Sequence, residues 1–357
     1  MTSVPLSPRP LSQFIHVPDM RYNNRYFGPD SDDDCPCGSR RRARSCHRAR
    51  DQSWVAQPPR PLVTGPRTGY ANPDCYGNVS ADCSRDTTRE HWLSAETLRH
   101  IAADGSVVRV GNAAWLGERP YADVGVNSLS SRILCGRHNG ALSHLDTVAS
   151  AFFQAFRDEQ AEMMLHRETD TEFRCAFAVL NGPTLQLWLL KVLWGALVSG
   201  LATVDGRIAN RFRLGVDSAQ LAEILWRGAA WPITWAFYMF PRSFEGPVRM
   251  NSAGLRFINV GPEIVGGTVK LSGFDFCLAF ERPHVPFIRQ PGAIILQRKG
   301  FRHWKMFAFC WPDEGHQPIH AGCKVPPGAD VYERPECRPG GGVIDLSQLR
   351  HTRSTLD

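Results

Sequence analysis

Two groups of cysteine and histidine have the types and spacing for metal chemistry. Cys35, Cys37, Cys46 and His47 fall within thirteen residues, while Cys75, Cys83, Cys135 and His138 span a longer interval that ends in a Cys-x-x-His pair. Thiolate and imidazole are ligands that zinc favours, and four of them close a tetrahedral structural site. A loop too short to build a core can fold on the binding free energy of such an ion. Each group therefore predicts one structural Zn2+. Between the halves of the second group stands an isolated Glu90-His91 pair, and Asn139 directly follows His138. Metal-assisted hydrolysis needs a neutral imidazole near water and a divalent ion, and a lone histidine does not supply both.

These side chains need elements to hold them. Leu142, Leu145, Ala149, Phe152, Phe153 and Phe156 recur at helical spacing and predict a helix over 141–156, with Cys135 and His138 at its start. His144 and Asp146 on that helix read as a solvated face. Cys75 and Cys83 share a loop, and a strand-like run over 106–110 is inserted between His91 and Cys135. The apolar run 184–201 carries Gln186 and Lys191, which argues for a buried helix and against a membrane span. A helix over 221–226 and a strand within 231–240 follow. From 247 onward, short β-like runs at 248–250, 255–260, 267–280 (divided at Gly273), 292–297 and 303–311 predict an antiparallel sheet packed on the two Trp-rich helices. The fold class is α+β. Cys310, His316, His320, Cys323 and Cys337 have no zinc half-site spacing.

With the residues in view, two resemblances emerge. The thirteen residues from Cys35 to His47, with Gly38-Ser39 after the second cysteine, resemble a SEC-C module, the small zinc knuckle of the preprotein translocase ATPase and of many bacterial proteins. That resemblance implies a portable adaptor whose Arg40, Arg41, Arg42 and Arg44 meet phosphates, an acidic partner or solvent. The stretch from Cys75 to Phe153 resembles a zinc-stapled HNH (ββα-metal) endonuclease motif. The resemblance implies that His91 is the general base and that Glu90 and Asn139 lie near a catalytic Mg2+ or other divalent ion; Asn127 is the best candidate for the family's middle Asn. It also implies nucleic acid as substrate, with Arg89 and Arg137 on its backbone. Two features depart from the family: the interval from His91 to Cys135 is long, and an amide stands where a final His or Asp would be the stronger ligand. The alternative is a non-catalytic zinc-binding adaptor of protein or nucleic acid on an inactivated HNH scaffold. A third reading puts a small-molecule pocket among the C-terminal apolar helices.

The chain has 357 residues, 43% of them apolar, enough for a sizeable core and more than one domain. Its formal charge of +6 permits nucleic-acid contact without requiring it. Eleven cysteines, six of them clustered near histidines, fit zinc in a reducing cytoplasm better than disulfides, and the N-terminus lacks a signal-peptide apolar run. The expected organisation is a disordered segment (1–34), a zinc knuckle (35–50), a proline-rich linker (51–70), the HNH-like domain (71–160), an α+β domain of unassigned role (161–337) and a tail (338–357). A protein partner through the knuckle is expected, a membrane is not. No phosphate-binding glycine loop or Ser/His/Asp arrangement is present, which argues against an ATPase.

Overall fold

The computed structural model describes residues 15–16, 31–35, 41–50, 56, 60–102, 107–111, 113–119, 121–165, 174–200, 202–204, 207–240, 253–271, 274–281, 288–290, 293–297 and 303–312. The expected disordered segment (apart from these few residues) and the tail lie outside them, as do Cys37, His316, His320, Cys323 and Cys337.

Strand β1 (Thr87–His91) leads into helix α1 (Ala95–Ile101), whose start is fixed by Ser94: its Oγ accepts from the Thr97 backbone N–H at 3.2 Å. The run Val107-Val-Arg-Val110 has the β-branched content of a strand. It forms β2 (Val107–Gly111), which pairs antiparallel with β3 (Tyr121–Gly125). Strand β4 (Ser130–Cys135) then returns to β1, antiparallel, with Thr87 opposite Cys135 and His91 opposite Ser130. Helix α2 (Gly136–Leu165) starts at the next residue and packs on both strands. It contains the helix expected over 141–156 and runs further at both ends.

Strand β5 (Arg174–Asn181) turns directly into helix α3 (Gly182–Ser199). Asn181 caps that helix by accepting from Thr184 N–H at 3.0 Å, Pro183 occupies its first turn, and Gly200 ends it at φ +69°. Every residue from Gly182 to Leu197 is buried, which is why α3 carries apolar residues on every face, with Gln186 and Lys191 as buried exceptions. Helix α4 (Ser218–Arg227) is capped by Asp217 and ends at Gly228, φ +72°. No helix among the described residues is long and apolar enough to cross a membrane.

Among the described residues, the remaining strands longer than two residues are β6 (Ala236–Phe240), β7 (Ala253–Val260), β8 (Glu263–Leu271), β9 (Phe274–Ala279), β10 (Ala293–Gln297) and β11 (His303–Cys310). They divide between two sheets rather than one. The first runs β7-β8-β9-β6 and is antiparallel along that path, with Leu271 opposite Phe274 where Gly273 predicted a break. The second runs β10-β11-β5, and β11 lies parallel to β5. The result is an α+β fold with mixed sheets. The run 248–250 lies outside the described residues.

One apolar core runs from Val63 to Phe309 and draws on all four helices and on strands of both sheets. Phe152 on α2 meets Phe276 of β9 and Phe307 of β11, ring centroids 6.0 and 5.8 Å apart, and Phe153 meets Trp188 of α3 at 5.5 Å. The β1–β4–α2 unit is therefore not free-standing: its helix is wedged between both sheets and α3. Residues 60–70, in the proline-rich stretch, lie against α4. Proline leaves backbone carbonyls without neighbouring N–H donors, and guanidinium groups take them: Arg227 donates to Val63 and Gly65, Arg137 to Thr64 and Pro66.

Candidate metal centre

The loop before β1 carries the first two cysteines on a scaffold of local hydrogen bonds. Asn72 organises it: its Oδ1 accepts from Asp74 N–H at 3.1 Å, its carbonyl from Cys75 N–H at 3.0 Å, and its Nδ2 donates to the carbonyls of Ser84 and Arg85. Cys83 N–H reaches the Tyr70 carbonyl at 2.9 Å, and Tyr76 N–H joins the loop to β4 through the Ile133 carbonyl at 3.0 Å. Cys135 ends β4 and His138 lies in the first turn of α2, so the Cys-x-x-His pair straddles a strand-to-helix junction. All four residues are buried.

Their ligand atoms all lie within 4.8 Å of one another. His138 Nδ1 is 3.3 Å from Cys75 Sγ, 3.7 Å from Cys83 Sγ and 3.4 Å from Cys135 Sγ. Tetrahedral zinc with Zn–S of about 2.3 Å and Zn–N of about 2.0 Å would set S···N edges of about 3.5 Å. The donor set and its spacing thus fit a four-coordinate ion. A single Nδ1 facing three sulfurs cannot satisfy them with one proton. With the proton on Nε2, which meets no acceptor among the described residues, the Nδ1 lone pair is free for a metal. Thiol acidity points the same way. The hydrogen bond to Cys135 and then burial push the Cys75 thiol far up, burial pushes Cys83 up, and the hydrogen bond from Cys75 holds Cys135 well down. Alone, the three thiols cannot all ionise so close together; a dication removes that conflict.

The surroundings exclude water. Trp226 donates to the His138 carbonyl at 3.3 Å and its ring lies 4.3 Å from the imidazole, while Trp194 and Tyr76 extend the aromatic cover. A Cβ on Gly77 would fall 2.9 Å from His138 Nδ1 and from the Trp226 ring, so only glycine lets the loop close here. Beside Cys83, buried Asp82 binds Arg227 and Arg137, the latter at 3.1 Å, and accepts from Thr68 N–H. Arg137, expected on a phosphate backbone, is thereby committed to the loop.

The second cluster is Cys35, Cys46 and His47, also with ligand atoms within 4.8 Å; the fourth expected ligand, Cys37, lies outside the described residues. Sγ of Cys35 and of Cys46 are 3.4 and 3.2 Å from His47 Nδ1. Cys35, Ala43 and Cys46 share a small apolar cluster with Val179 and Cys310, at the ends of β5 and β11. Arg42 and Arg44 are paired locally with Asp34 and Asp32, and Arg41 donates to Cys46 Sγ.

The Glu90-His91 pair lies at the other end of β1. Glu90 is 6% exposed and its carboxylate sits 2.5 Å from the Nζ of Lys191, which is fully buried in α3. Lys191 also donates to both oxygens of Asp146 on α2, at 2.9 and 3.0 Å, and to the His91 carbonyl at 2.7 Å. Burial alone would push Lys191 down, but Glu90 and Asp146 outweigh it and hold the ammonium charged; burial pushes Glu90 up despite the lysine. His91 is half-buried, donates from Nε2 to the Val126 carbonyl at 3.2 Å, and is pushed down by burial toward the neutral form. Asn139 donates from Nδ2 to Thr88 Oγ1 at 2.9 Å and to the Arg89 carbonyl at 3.2 Å, so its amide fastens α2 to β1. Exposed Asn127 joins this group through no described contact; its carbonyl accepts from Ser130 Oγ.

Asp146, expected on a solvated face, is instead the second carboxylate on Lys191. Sequence reading registered Lys191 only as evidence against a membrane span. A lysine amid buried leucines requires carboxylate partners, and that rule could have led to Glu90 and Asp146. In comparison with known proteins, no family model, curated protein or solved structure matches the chain. What stands is an α+β fold with two Cys/His clusters able to chelate a metal ion.

Proposed function

We propose that the protein is a non-catalytic zinc-binding adaptor for protein or nucleic acid, built on an HNH-like β1–β4–α2 scaffold. Zn2+ at Cys75, Cys83, Cys135 and His138 holds the loop before β1 to the start of α2, and a second ion at Cys35, Cys37, Cys46 and His47 folds the SEC-C-like knuckle. The observation that carries this reading is the state of Glu90. A carboxylate that serves a catalytic ion must be free to bind it, and this one is buried and engaged by a lysine ammonium. Asn139 spends its amide protons on β1.

A second reading keeps the endonuclease, with His91 as general base and Glu90 and Asn139 near a Mg2+ ion. It is favoured by the order β1–β4–α2, which brings Asn139 against the strand that carries Glu90 and His91, and by the neutral imidazole that a general base requires. Metal analysis and plasmid nicking separate the two. The adaptor predicts two zinc ions per chain and no nicking with Mg2+ or Mn2+, in wild type or in His91→Ala. Nicking by wild type that His91→Ala reduces by orders of magnitude establishes the nuclease.

A further inference from the structure

Apart from the cysteine clusters, the polar site among the described residues with the most converging buried charges is the set of oxygens around Lys191. Glu90, Asp146 and the His91 carbonyl come from β1 and α2, and they converge on Nζ at 2.5 to 3.0 Å. An ammonium has three protons, and its hydrogen bonds go to the two Asp146 oxygens and the His91 carbonyl, so buried Glu90 Oε1 is held by charge alone and has no hydrogen-bond partner among the described residues. Two carboxylates around one positive charge leave a formal charge of −1 in a buried place, where excess charge is costly. Two carboxylates and a carbonyl are also the hard oxygen donors that Ca2+ and Mn2+ select. The pattern is that of a cation site whose cation is covalently attached.

We infer that Lys191 is a tethered cation filling a latent divalent-metal site formed by Glu90, Asp146 and the His91 carbonyl. Removing its side chain lets a hard dication take the place of the ammonium. The dication neutralises both carboxylates, which the ammonium does not. The cage offers up to five oxygens, and a Ca2+ ion completes its six to eight ligands with water in the space that the lysine stem vacates. Asp146 opens a route: its side chain is 25% exposed, whereas Glu90 and Lys191 are closed off. Mg2+, which demands a near-ideal octahedron and sheds water reluctantly, fits less well than Ca2+, Mn2+ or a lanthanide. This inference rests on the non-catalytic reading, since it explains why the scaffold in its native form needs no second, hard metal.

The test uses the zinc-loaded protein with Lys191→Ala, Lys191→Ser and Lys191→Ala/Asp146→Asn. Binding is read by Tb3+ luminescence sensitised by the neighbouring Tyr76 and Trp188, and by thermal unfolding with and without millimolar CaCl2. Wild type is expected to give neither signal. Lys191→Ala is expected to bind with a Kd of about 10⁻⁴ to 10⁻³ M, as in weak extracellular calcium modules, and to gain about 5 °C in Tm at saturating Ca2+. The double variant should lose both responses. If Lys191→Ala folds only with Ca2+ present, the inference is supported. If it does not fold at all, Lys191→Ser, which vacates the same space, is read instead, and its Tm must rise with Ca2+. The inference is overturned if wild type binds Tb3+ as tightly as Lys191→Ala, or if neither single variant responds to either ion. Failure of the adaptor reading shows separately, as Mg2+-dependent nicking by wild type.

Discussion

The β1–β4 hairpin is clamped at its two ends by chemically opposite devices. Near the pair Thr87 and Cys135, three thiols and an imidazole converge closely enough to hold an external metal ion. Near the pair His91 and Ser130, two carboxylates and a carbonyl converge on an ammonium that the chain itself supplies. The same helix serves both, with His138 in its first turn and Asp146 about 12 Å further along, at about 1.5 Å per residue. On the proposed reading the soft end ties folding to metal supply, whereas the hard end draws its cation from the chain. The contrast shows that acidic residues beside such a strand pair do not by themselves indicate a catalytic ion, because a buried lysine from another helix can satisfy them.

Breaking the soft end should have the largest effect. Cys135→Ser removes a ligand common to loop and helix, and zinc content should fall by one ion per chain. Structural zinc contributes apparent binding free energies of about 10–16 kcal/mol in small zinc-dependent peptides. The large core here retains part of the fold, so the expected outcome is a lowered, broadened unfolding transition rather than a random coil. A chelator should reproduce this in wild type and leave the Cys135→Ser transition much less changed. An unaltered zinc content with an unaltered transition would remove the metal from the comparison altogether.

Breaking the hard end should cost less and ignore chelators. Lys191→Met keeps the helix packing and leaves Glu90 and Asp146 facing each other without a counter-charge. Removing one partner from a buried ion pair typically costs about 3–5 kcal/mol. Denaturant unfolding of the zinc-loaded protein should show a loss of that order with unchanged zinc content. A variant whose stability matches wild type would mean that the carboxylates are simply protonated in its place and that the ammonium is no clamp.

The difference between the two ends also explains what was legible in the sequence. Cys-x-x-His is a local signal, and Cys75, Cys83, Cys135 and His138, read together from it, do come together. The helix after Asn139 was legible because Leu142, Leu145, Ala149 and Phe152 mark its buried face. The hard end is assembled from residues whose meaning is non-local: Glu90, Asp146 and Lys191 lie on three elements, and nothing in their spacing connects them. Pairing was illegible for the same reason. Phe173 to Leu180 gave no sign that β5 would lie parallel to β11, since period-two patterns define a strand's faces but not its neighbour.

The smallest expected effect is electrostatic, and it sharpens the contrast through pH. Burial holds the His91 imidazole below its usual range, further lowered by the nearby charges of Lys191 and Arg99, against the raising influence of the Val126 carbonyl and Asp146. The unfolded chain, with an ordinary value of about 6.5, then binds more protons than the folded one. Stability from this residue is therefore fully present above about pH 6.5 and is lost as pH falls toward the lower folded value. Glu90 has the opposite sign, because its raised carboxyl favours the folded state on the acid side of its own transition. Acid also releases zinc by protonating thiolates. Unfolding free energies of wild type and His91→Gln, followed from pH 7.5 to 5 at fixed excess zinc, cancel the soft-end and Glu90 contributions in their difference. That difference should narrow as pH drops, by about 1.4 kcal/mol for each pH unit by which folding lowers the imidazole. A difference that stays constant would place His91 in solvent-like surroundings, and with it would go the dry, neutral environment assigned to the hard end of the hairpin.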